Sequence, residues 1–490
     1  MTLAAAALLA ATFTRPMERV TTMDPVMVQS AYDARAVRLA YESVLEIDYV
    51  ARPYRIVPGA CELPEVSADG LVYRLRVRSA GLTAHDVVRE LGRLRDPKNA
   101  APSGYMMKKV ASLVASDDRT VEIRLSERQH VFPWMLTYVG IARADGSGTG
   151  PYALAHWRRN HEMVFRRTAP EPGGFDEVRY LVVDDMSTQW LMFLRGELDL
   201  LGEISRDNWD CVVGADGRLD PRLEADGVRL CEAPTLDSMY LGINMDDPVL
   251  GGNRHLRQAL NCAFDFPSWR RFYGGRVEAS DGPVPHGVDG RLETPFAYAY
   301  DPEKARRLLA EAGYPGGIDP RTGRRLELTL SIGRASQQSR EAGELIAAFY
   351  ERVGVRLTLD FKMWDAFLRA LNERRCQLFH IGWVGDYPDA ENFLQLFHSA
   401  NASPGANHAN YANPEFDRAY EEAMACADAE ARNALWRRCQ EIVREDCPWV
   451  FVHYPKSYSL VRRRVGNYIP GAFPYGNERF YRVVGKGEGR

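Results

Sequence analysis

The stretch that decides the fold is residues 326–383, LELTLSIGRASQQSREAGELIAAFYERVGVRLTLDFKMWDAFLRALNERRCQLFHIGW. Apolar patterns typical of strands occur at residues 326–330, 355–359 and 377–383, and patterns typical of helices at residues 341–353 and 364–374. Strands and helices that alternate over short links are typical of βαβ units. The sequence therefore predicts an α/β fold with a parallel sheet.

The turn directly after the third strand is residues 385–389, GDYPD, which carry two carboxylates and a phenol. Glycine and proline favour a turn here, because one permits unusual backbone angles and the other fixes them. On these residues alone, Asp386 and Asp389 either satisfy backbone groups of the turn or contact a ligand. Ligands of α/β proteins bind outside the carboxyl ends of the strands, which favours the ligand role for Asp386.

Length and composition place the chain among globular proteins. Its 490 residues are enough for about two to four domains, and hydrophobic residues make up 46% of them. The net charge of -4 argues against a nucleic-acid-binding protein, since phosphate recognition normally needs a basic surface. The longest apolar stretch, residues 3–13, is too short to span a bilayer.

The same apolar stretch resembles the core of a secretory signal and ends in the small residues Ala10 and Ala11. No basic residue precedes Arg15, so a positively charged start is missing. Either the true start lies upstream or the segment is a mature N-terminus. We predict a signal remnant or a disordered segment over residues 1–19.

Local capping signals mark several helix starts. Asp301 and Asn413 each precede a proline at the first helical position. Thr83 and Asp86 have the spacing of a capping box. We predict that helices begin at these three positions.

Motifs of catalysis and metal binding are missing from the sequence. There is no G-x-S-x-G motif, and the glycine-rich residues 146–151 lack the lysine of a phosphate-binding loop. His161 and Glu162 lack the second histidine of a metalloprotease helix, and the other histidines show no ligand spacing. We therefore predict a protein that is not an enzyme and needs no cofactor or metal.

The eight cysteines form no C-x-x-C pair, which excludes zinc-ribbon and thioredoxin-like sites. Most of them fit the pattern of small buried residues. In an exported protein, a disulfide between Cys211 and Cys231 or between Cys426 and Cys439 remains an alternative.

Nine segments of the chain follow the order of a known family: residues 24–42, 67–70, 83–87, 148–152, 196–199, 257–265, 301–314, 382–389 and 413–417. They include GTGPY, GELD, RQAL, the GW of residues 382–383 followed by DYPD, and NPEFD. The chain thus resembles the extracytoplasmic solute-binding proteins of ABC importers, in the oligopeptide/dipeptide-binding family (family 5).

This resemblance implies a bilobed periplasmic-binding-protein fold of the class II type, with an extra α/β domain inserted in the first lobe. It assigns residues 20–46, 161–247 and 456–490 to lobe I, 47–160 to the extra domain and 248–455 to lobe II. Hinge strands are expected near residues 240–245 and 455–459. The implied protein is a periplasmic monomer that captures a peptide or similar small solute and delivers it to a membrane permease, in peripheral contact with the membrane complex.

The resemblance also assigns ligand-binding residues. Asp386 matches the aspartate that pairs with the α-amino group of a peptide. Trp383 and Tyr387 are expected to line side-chain pockets, and Tyr105 matches a cleft tyrosine of the extra domain. The remaining assignments are Asp33 and Arg35, in a segment that runs beside a bound peptide by β-augmentation, Tyr240 and Asn244 on the hinge side, and His380, which binds a carboxylate only when protonated.

Two alternatives remain open at this point. An intracellular ligand sensor of the same fold fits the incomplete signal, although no helix-turn-helix segment precedes residue 24. A peptide hydrolase is the second alternative, and the missing nucleophile motif argues against it.

Overall fold

The computed structural model describes residues 11–17, 19–214, 217–334, 336–471 and 475–485. Residues 1–10 of the predicted signal remnant lie outside the described residues. All eight cysteines are free thiols, so neither alternative disulfide is formed.

The strands are β1 (Thr12–Met17), β2 (Leu45–Ile47), β3 (Ile56–Pro58), β4 (Glu65–Val66), β5 (Val72–Arg76), β6 (Val110–Ala115), β7 (Thr120–Leu125), β8 (Tyr152–Arg158), β9 (Glu162–Arg167), β10 (Glu177–Val182), β11 (Leu200–Leu201), β12 (Val228–Pro234), β13 (Asp237–Ile243), β14 (Val277–Ala279), β15 (Glu327–Ile332), β16 (Arg356–Phe361), β17 (Leu378–Val384), β18 (Trp449–Arg462), β19 (Val465–Gly466) and β20 (Arg482–Val483).

The helices are α1 (Ala31–Ala40), α2 (Ala84–Arg95), α3 (Phe132–Met135), α4 (Met186–Leu194), α5 (Arg206–Val212), α6 (Pro221–Ala225), α7 (Arg254–Ala263), α8 (Phe266–Phe272), α9 (Pro302–Glu311), α10 (Gln337–Glu351), α11 (Trp364–Asn372), α12 (Glu391–Leu394), α13 (Pro414–Ala425) and α14 (Ala429–Asp446). The predicted starts of α2, α9 and α13 are confirmed, because Thr83, Asp301 and Asn413 each accept a hydrogen bond from the first turn of the helix that follows.

The chain forms two compact units. Unit 1 is Met1–Ala233 with Ser457–Arg490, and unit 2 is Pro234–Lys456. The predicted boundary between lobe I and lobe II, after residue 247, is corrected, because the chain passes from unit 1 to unit 2 at the bond between Ala233 and Pro234. The predicted hinge strand at residues 240–245 coincides with β13, which lies inside unit 2 because it pairs with β17 on one side and β18 on the other. The predicted extra domain lies within unit 1, and its separate boundaries stay a prediction.

Unit 2 contains the predicted parallel sheet. Strand β15 pairs in parallel with β16 and with β17, and the links are α10 and α11, as the alternating pattern predicts. Strand β13 then pairs antiparallel with β17, which makes the sheet mixed. The core of this unit packs Leu328, Leu330, Ile346 and Phe349 against one another with almost no exposed surface. Because β15, β16 and β17 are parallel, their carboxyl ends meet at one edge of the sheet.

Unit 1 contains a four-stranded sheet in the order β1-β10-β9-β8. Strand β1 pairs in parallel with β10 from Thr12 to Met17, and Phe13 is fully buried against Phe175, with ring centroids 5.6 Å apart. This corrects the prediction for residues 1–19, since residues 12–17 belong to a packed sheet. The sequence pattern missed β1 because its pairing partner lies more than 160 residues away.

A second sheet of unit 1 has the order β4-β5-β7-β6 and is covered on one face by α2. Leu75, Val121 and Ile123 point to the covered face and are buried. Both hydrogen bonds of the predicted capping box between Thr83 and Asp86 are present at the start of α2. Helix and sheet together form a small α/β layer within the residues assigned to the extra domain.

Candidate functional site

The turn at residues 385–389 leaves the carboxyl end of β17 and is held by Asn392 of α12. The side-chain oxygen of Asn392 accepts hydrogen bonds from the indole Nε1 of Trp383 and from the backbone N–H of Asp386, each 3.0 Å long. Its Nδ2 donates to Oδ2 of Asp386 at 3.3 Å. One buried amide therefore fixes both Trp383 and Asp386, the two residues at the centre of the predicted site.

The carboxylate of Asp386 is half-buried and is not neutralised. Burial raises the pKa of Asp386, and the hydrogen bond from Asn392 offsets only part of this effect. Among the described residues, no lysine or arginine forms an ion pair with it. A desolvated carboxylate with a single neutral donor is stabilised strongly when a cation arrives, because charge-assisted hydrogen bonds replace lost hydration.

Asp389, the second carboxylate of the turn, has a local role. Its Oδ1 accepts the backbone N–H of Glu391 at 2.9 Å, at the start of α12. This hydrogen bond gives Asp389 the backbone role that the sequence left open. The ligand role of Asp386 stays a prediction.

Tyr387 points away from solvent. It is 5% exposed, and its hydroxyl donates to the carboxylate of Glu391, which also accepts the hydroxyl of Tyr420 at 2.6 Å. Burial and the adjacent Glu391 carboxylate raise the pKa of both phenols well above the usual value. The prediction that Tyr387 lines an open pocket is therefore corrected: Tyr387 anchors the turn to the interior of unit 2.

His380 lies on β17 with its ring 6.2 Å from that of Trp269. Burial lowers the pKa of His380 to about 4, so the imidazole is neutral at pH 7. Its Nε2 is buried and has no hydrogen-bond partner among the described residues. The predicted carboxylate-binding role is corrected, since a neutral imidazole supplies no positive charge.

Tyr240 and Asn244 lie along β13 and just beyond its end. Tyr240 pairs with Ile381 in the middle of the sheet and stacks on Trp449. Asn244 is buried, and its amide donates to the carbonyl oxygen of Arg374 at 3.0 Å. Because β13 runs antiparallel to β17, Asn244 lies one strand length, about 20 Å, from the turn that carries Asp386. Neither residue is at the Asp386 edge, and their assignment to the hinge side of the cleft stays a prediction.

Asp33 and Arg35 belong to unit 1 and lie in helix α1. A helix uses its backbone N–H and C=O groups internally, so the prediction of β-augmentation by this segment is wrong. Asp33 is fully buried and accepts the backbone N–H of Thr21 at 2.7 Å and the Thr21 hydroxyl at 3.0 Å. The guanidinium of Arg35 lies 3.6 Å from the carboxylate of Glu478.

Tyr105, also in unit 1, lies on the short 3-10 helix Gly104–Met107 and is 50% exposed. Its neighbours Met106 and Met107 are buried and fix the turn. The side chain of Tyr105 is accessible, and its role as a cleft residue stays a prediction.

Several residues at the Asp386 edge were missed by sequence reasoning. Asp237 lies opposite Val384 in the β13–β17 pairing, and burial raises the pKa of its carboxyl. Arg334 follows the carboxyl end of β15 and is exposed, and Trp364 begins α11 with 52% of its surface exposed. The ends of the predicted parallel strands were the available signal for Arg334 and Trp364. No local sequence pattern indicated that Asp237 lies at this edge, because the pairing of β13 with β17 spans more than 130 residues.

Comparison with known structures defines the class of the fold. The periplasmic murein tripeptide-binding protein MppA, in its unliganded open form, matches with a TM-score of 0.81 at 19% identity, over 97% of each chain. The α/β periplasmic-binding-protein fold predicted from the sequence is confirmed.

Sequence comparison defines the family. The family of bacterial extracellular solute-binding proteins, family 5 middle, matches residues 55–405, which is more than half of the chain. The chain therefore belongs to the family 5 extracellular solute-binding proteins. The predicted family and the predicted function class, a solute-binding protein of ABC transporters, are confirmed.

Two relatives span most of the chain. Heme-binding protein A of Haemophilus influenzae is 26% identical, over 87% of this chain and 84% of that protein. Probable di/tripeptide-binding protein 5 of Pseudomonas aeruginosa is 25% identical, over 90% of this chain and 89% of that protein. Both are named as binding proteins. In the part of the chain that the structure describes, no helix has both the length and the apolar character of a membrane span.

Proposed function

We propose that this chain is a receptor for short peptides with a free α-amino group, which it delivers to the membrane permease of an ABC importer for uptake. The observation that carries the proposal is the Asp386 carboxylate, which is half-buried, held by one neutral amide and not paired with a basic residue among those described. An ammonium group donates short, strong hydrogen bonds to such a carboxylate.

Other groups at the same edge fit the rest of a peptide. Asp237 adds a second desolvated carboxylate on the neighbouring strand, which increases the preference for a cation. The half-buried indole of Trp383 offers an apolar wall to a side chain. Arg334 lies two residues beyond Ile332, the last residue of β15, which pairs with His380 of β17, and its guanidinium suits a terminal carboxylate.

The names of the relatives support a peptide as the ligand, with haem as the alternative ligand. MppA and the Pseudomonas aeruginosa relative are named for peptides, and the Haemophilus influenzae relative is named for haem. Haem has no ammonium group, so it gains nothing from Asp386. The carboxylates of this edge therefore favour the peptide.

Location and partner follow from the family. Its members are extracellular solute-binding proteins, and we propose a periplasmic location with the solute handed to a permease in the membrane. The hydrolase alternative gains no support from the site, where the described groups are arranged for binding.

The test is calorimetric titration with a dipeptide of small side chains, in the free form and with an acetylated N-terminus. We expect the acetylated form to bind about 10- to 100-fold more weakly, because one charge-assisted hydrogen bond is worth about 1.5–3 kcal/mol. Asp386→Asn should weaken the free peptide by a similar factor and leave the acetylated peptide unchanged. Haemin, titrated in parallel, should not compete with the dipeptide.

Asp365→Asn is the matched control, since it makes the same chemical change on an exposed residue of α11. Equal affinity for free and acetylated peptide would contradict the proposed role of Asp386. Tight haemin binding that survives Asp386→Asn would replace the peptide with a tetrapyrrole as the ligand.

A further inference from the structure

A large cavity lies in unit 1, and none of the predicted ligand-binding residues lines it. It encloses about 1090 Å³, slightly above the range of about 300–1000 Å³ that is usual for small-molecule sites. Its walls come from within three separated stretches of the chain, residues 42–59, 149–171 and 467–482, together with Arg78. A cavity of this size has room for an organic molecule.

The glycine-rich stretch that lacks a phosphate-binding lysine forms one wall, through Thr149, Gly150 and Pro151. The N–H of Gly150 donates to the carbonyl of Ala40, the last residue of α1, at 2.9 Å. A side chain at position 150 would place its Cβ 2.5 Å from the carbonyl carbon of Ala40, so glycine is needed for this close contact. The contact fixes the end of α1, and Glu42 follows two residues later.

Glu42 supplies a carboxylate that has no cationic partner. The residue lines the cavity and is partly buried. Its backbone carbonyl accepts the N–H of Ile141 at 2.9 Å, so its main chain is held in place. Among the residues that the structure describes, none forms an ion pair or a hydrogen bond with its side chain. A partly desolvated carboxylate without donors is stabilised strongly by a cation.

The other charged side chains of the walls already have partners of opposite charge. Glu46 pairs with Arg479, Asp48 with Arg55, Arg78 with Glu62 and Glu171 with Arg482. Arg479 lies within electrostatic range of Glu42, but its guanidinium donates to both oxygens of Glu46, at 2.7 and 3.2 Å. A ligand in this cavity therefore meets one unpaired charge, and that charge is negative.

Much of the remaining wall is apolar. Phe480 stacks on Tyr49 with ring centroids 4.9 Å apart, and Val50 is 68% exposed. The other apolar residues of the wall are Ile47, Val57, Pro58 and Ile469. A single carboxylate beside such a wall suits an organic cation, because a metal ion needs several oxygen ligands.

We propose that this cavity is a second binding site, which takes an organic monocation: a protonated amine on an aromatic or other apolar body. The ammonium bonds the carboxylate of Glu42, and the apolar body lies against Phe480 and Val57. Because each basic side chain of the walls is already paired, the cavity disfavours an acid or a zwitterionic peptide. Its chemistry thus differs from that of the Asp386 edge, and it does not depend on the function proposed for that edge.

The test is calorimetric titration with three indoles of similar shape and different charge: the cation tryptamine, the neutral tryptophol and the anion indole-3-propionate. The full chain carries Asp386→Asn in every titration, so that the amine is not drawn to that carboxylate. We expect tryptamine to bind about tenfold more tightly than tryptophol, because its ammonium forms a charge-assisted hydrogen bond. Indole-3-propionate should bind more weakly than both.

Two further variants assign the binding to this cavity. Glu42→Gln should reduce the affinity for tryptamine to that for tryptophol and leave tryptophol unchanged. Glu65→Gln is the matched control, since it makes the same change on an exposed residue outside the cavity. Val57→Trp places a larger side chain in the wall and should weaken both ligands. An unchanged melting temperature shows that the variants fold.

Three results would overturn the proposal. The first is a chain that does not bind tryptamine at millimolar concentration. The second is equal affinity for tryptamine and indole-3-propionate, which would remove the preference for a cation. The third is tryptamine binding that is unchanged in Glu42→Gln, which would place the amine elsewhere.

Discussion

Two aspartates that the family resemblance placed in the binding site, Asp33 and Asp386, have opposite surroundings. Asp33 is fully buried and accepts hydrogen bonds from both the N–H and the hydroxyl of Thr21. Asp386 is half-buried and receives one side-chain hydrogen bond, from Asn392. A buried carboxylate surrounded by donors holds its own chain together, whereas one short of donors is available to a ligand.

The difference originates in local sequence. Asp33 is the third residue of α1, where its N–H donates to the Ser30 hydroxyl. Its carboxylate accepts the backbone N–H of Thr21. In the turn after β17, Asp389 accepts the backbone N–H of Glu391 at the start of α12. Asp386 is thereby left with one oxygen toward Asn392 and the other for a partner.

The largest expected effect belongs to Asp33. Asp33→Ala leaves the N–H and the hydroxyl of Thr21 without their acceptor, and we expect it to lower the free energy of unfolding by about 3 kcal/mol. Denaturation with urea measures this change, and peptide affinity should not move. Asp365→Ala, on the surface of α11, is the control. If the variant binds peptide more weakly at equal stability, Asp33 is a ligand-binding residue, and the contrast drawn here between Asp33 and Asp386 is wrong.

The amide that positions Asp386 comes next. Asn392→Leu removes the acceptor of the Trp383 indole and of the Asp386 N–H in a buried position, which should cost about 2 kcal/mol of stability. It should also weaken peptide binding about tenfold, because Asp386 is no longer held. Asn372→Leu, at an exposed position, should do neither. Unchanged affinity in Asn392→Leu would mean that Asp386 needs no support.

The smallest effect is a pH dependence. Burial raises the pKa of Asp386 above the usual value of about 4, so affinity for a peptide ammonium should fall as pH drops through that raised pKa, by about tenfold per unit. The stability of the fold should change with pH in the opposite direction to the affinity. Because the raised pKa means that the folded chain favours the protonated carboxyl, the contribution of Asp386 to stability decreases as pH rises through the same window. Asp386→Asn should remove both dependences. Titrations and melts between pH 4 and about 7 measure them, and identical profiles for wild type and variant would contradict the raised pKa.

Much of unit 2 could be predicted because its signals are local. The alternation in residues 326–383 gave β15, α10, β16, α11 and β17 within a few residues, and the capping residues gave the starts of α9 and α13. The family motifs added the proposed role of Asp386, which lies on a turn whose position follows from those strands.

The remaining features depend on partners distant in the chain. Strand β1 exists because β10 lies beside it. The hydroxyl of Tyr387 is buried because it donates to Glu391, which also accepts the hydroxyl of Tyr420. Asp237 reaches the site only through the pairing of β13 with β17. A linear pattern contains none of these contacts, so the sequence could not separate a carboxylate that binds ligand from one that binds its own backbone.

The bond between the Trp383 indole and Asn392 gives the protein a built-in optical reporter. The same amide oxygen accepts from Trp383 and from the Asp386 N–H, so any shift of Asp386 toward an arriving cation changes the polarity around the indole. Ligand capture should therefore alter tryptophan emission without an added label, and the signal should vanish in Trp383→Phe.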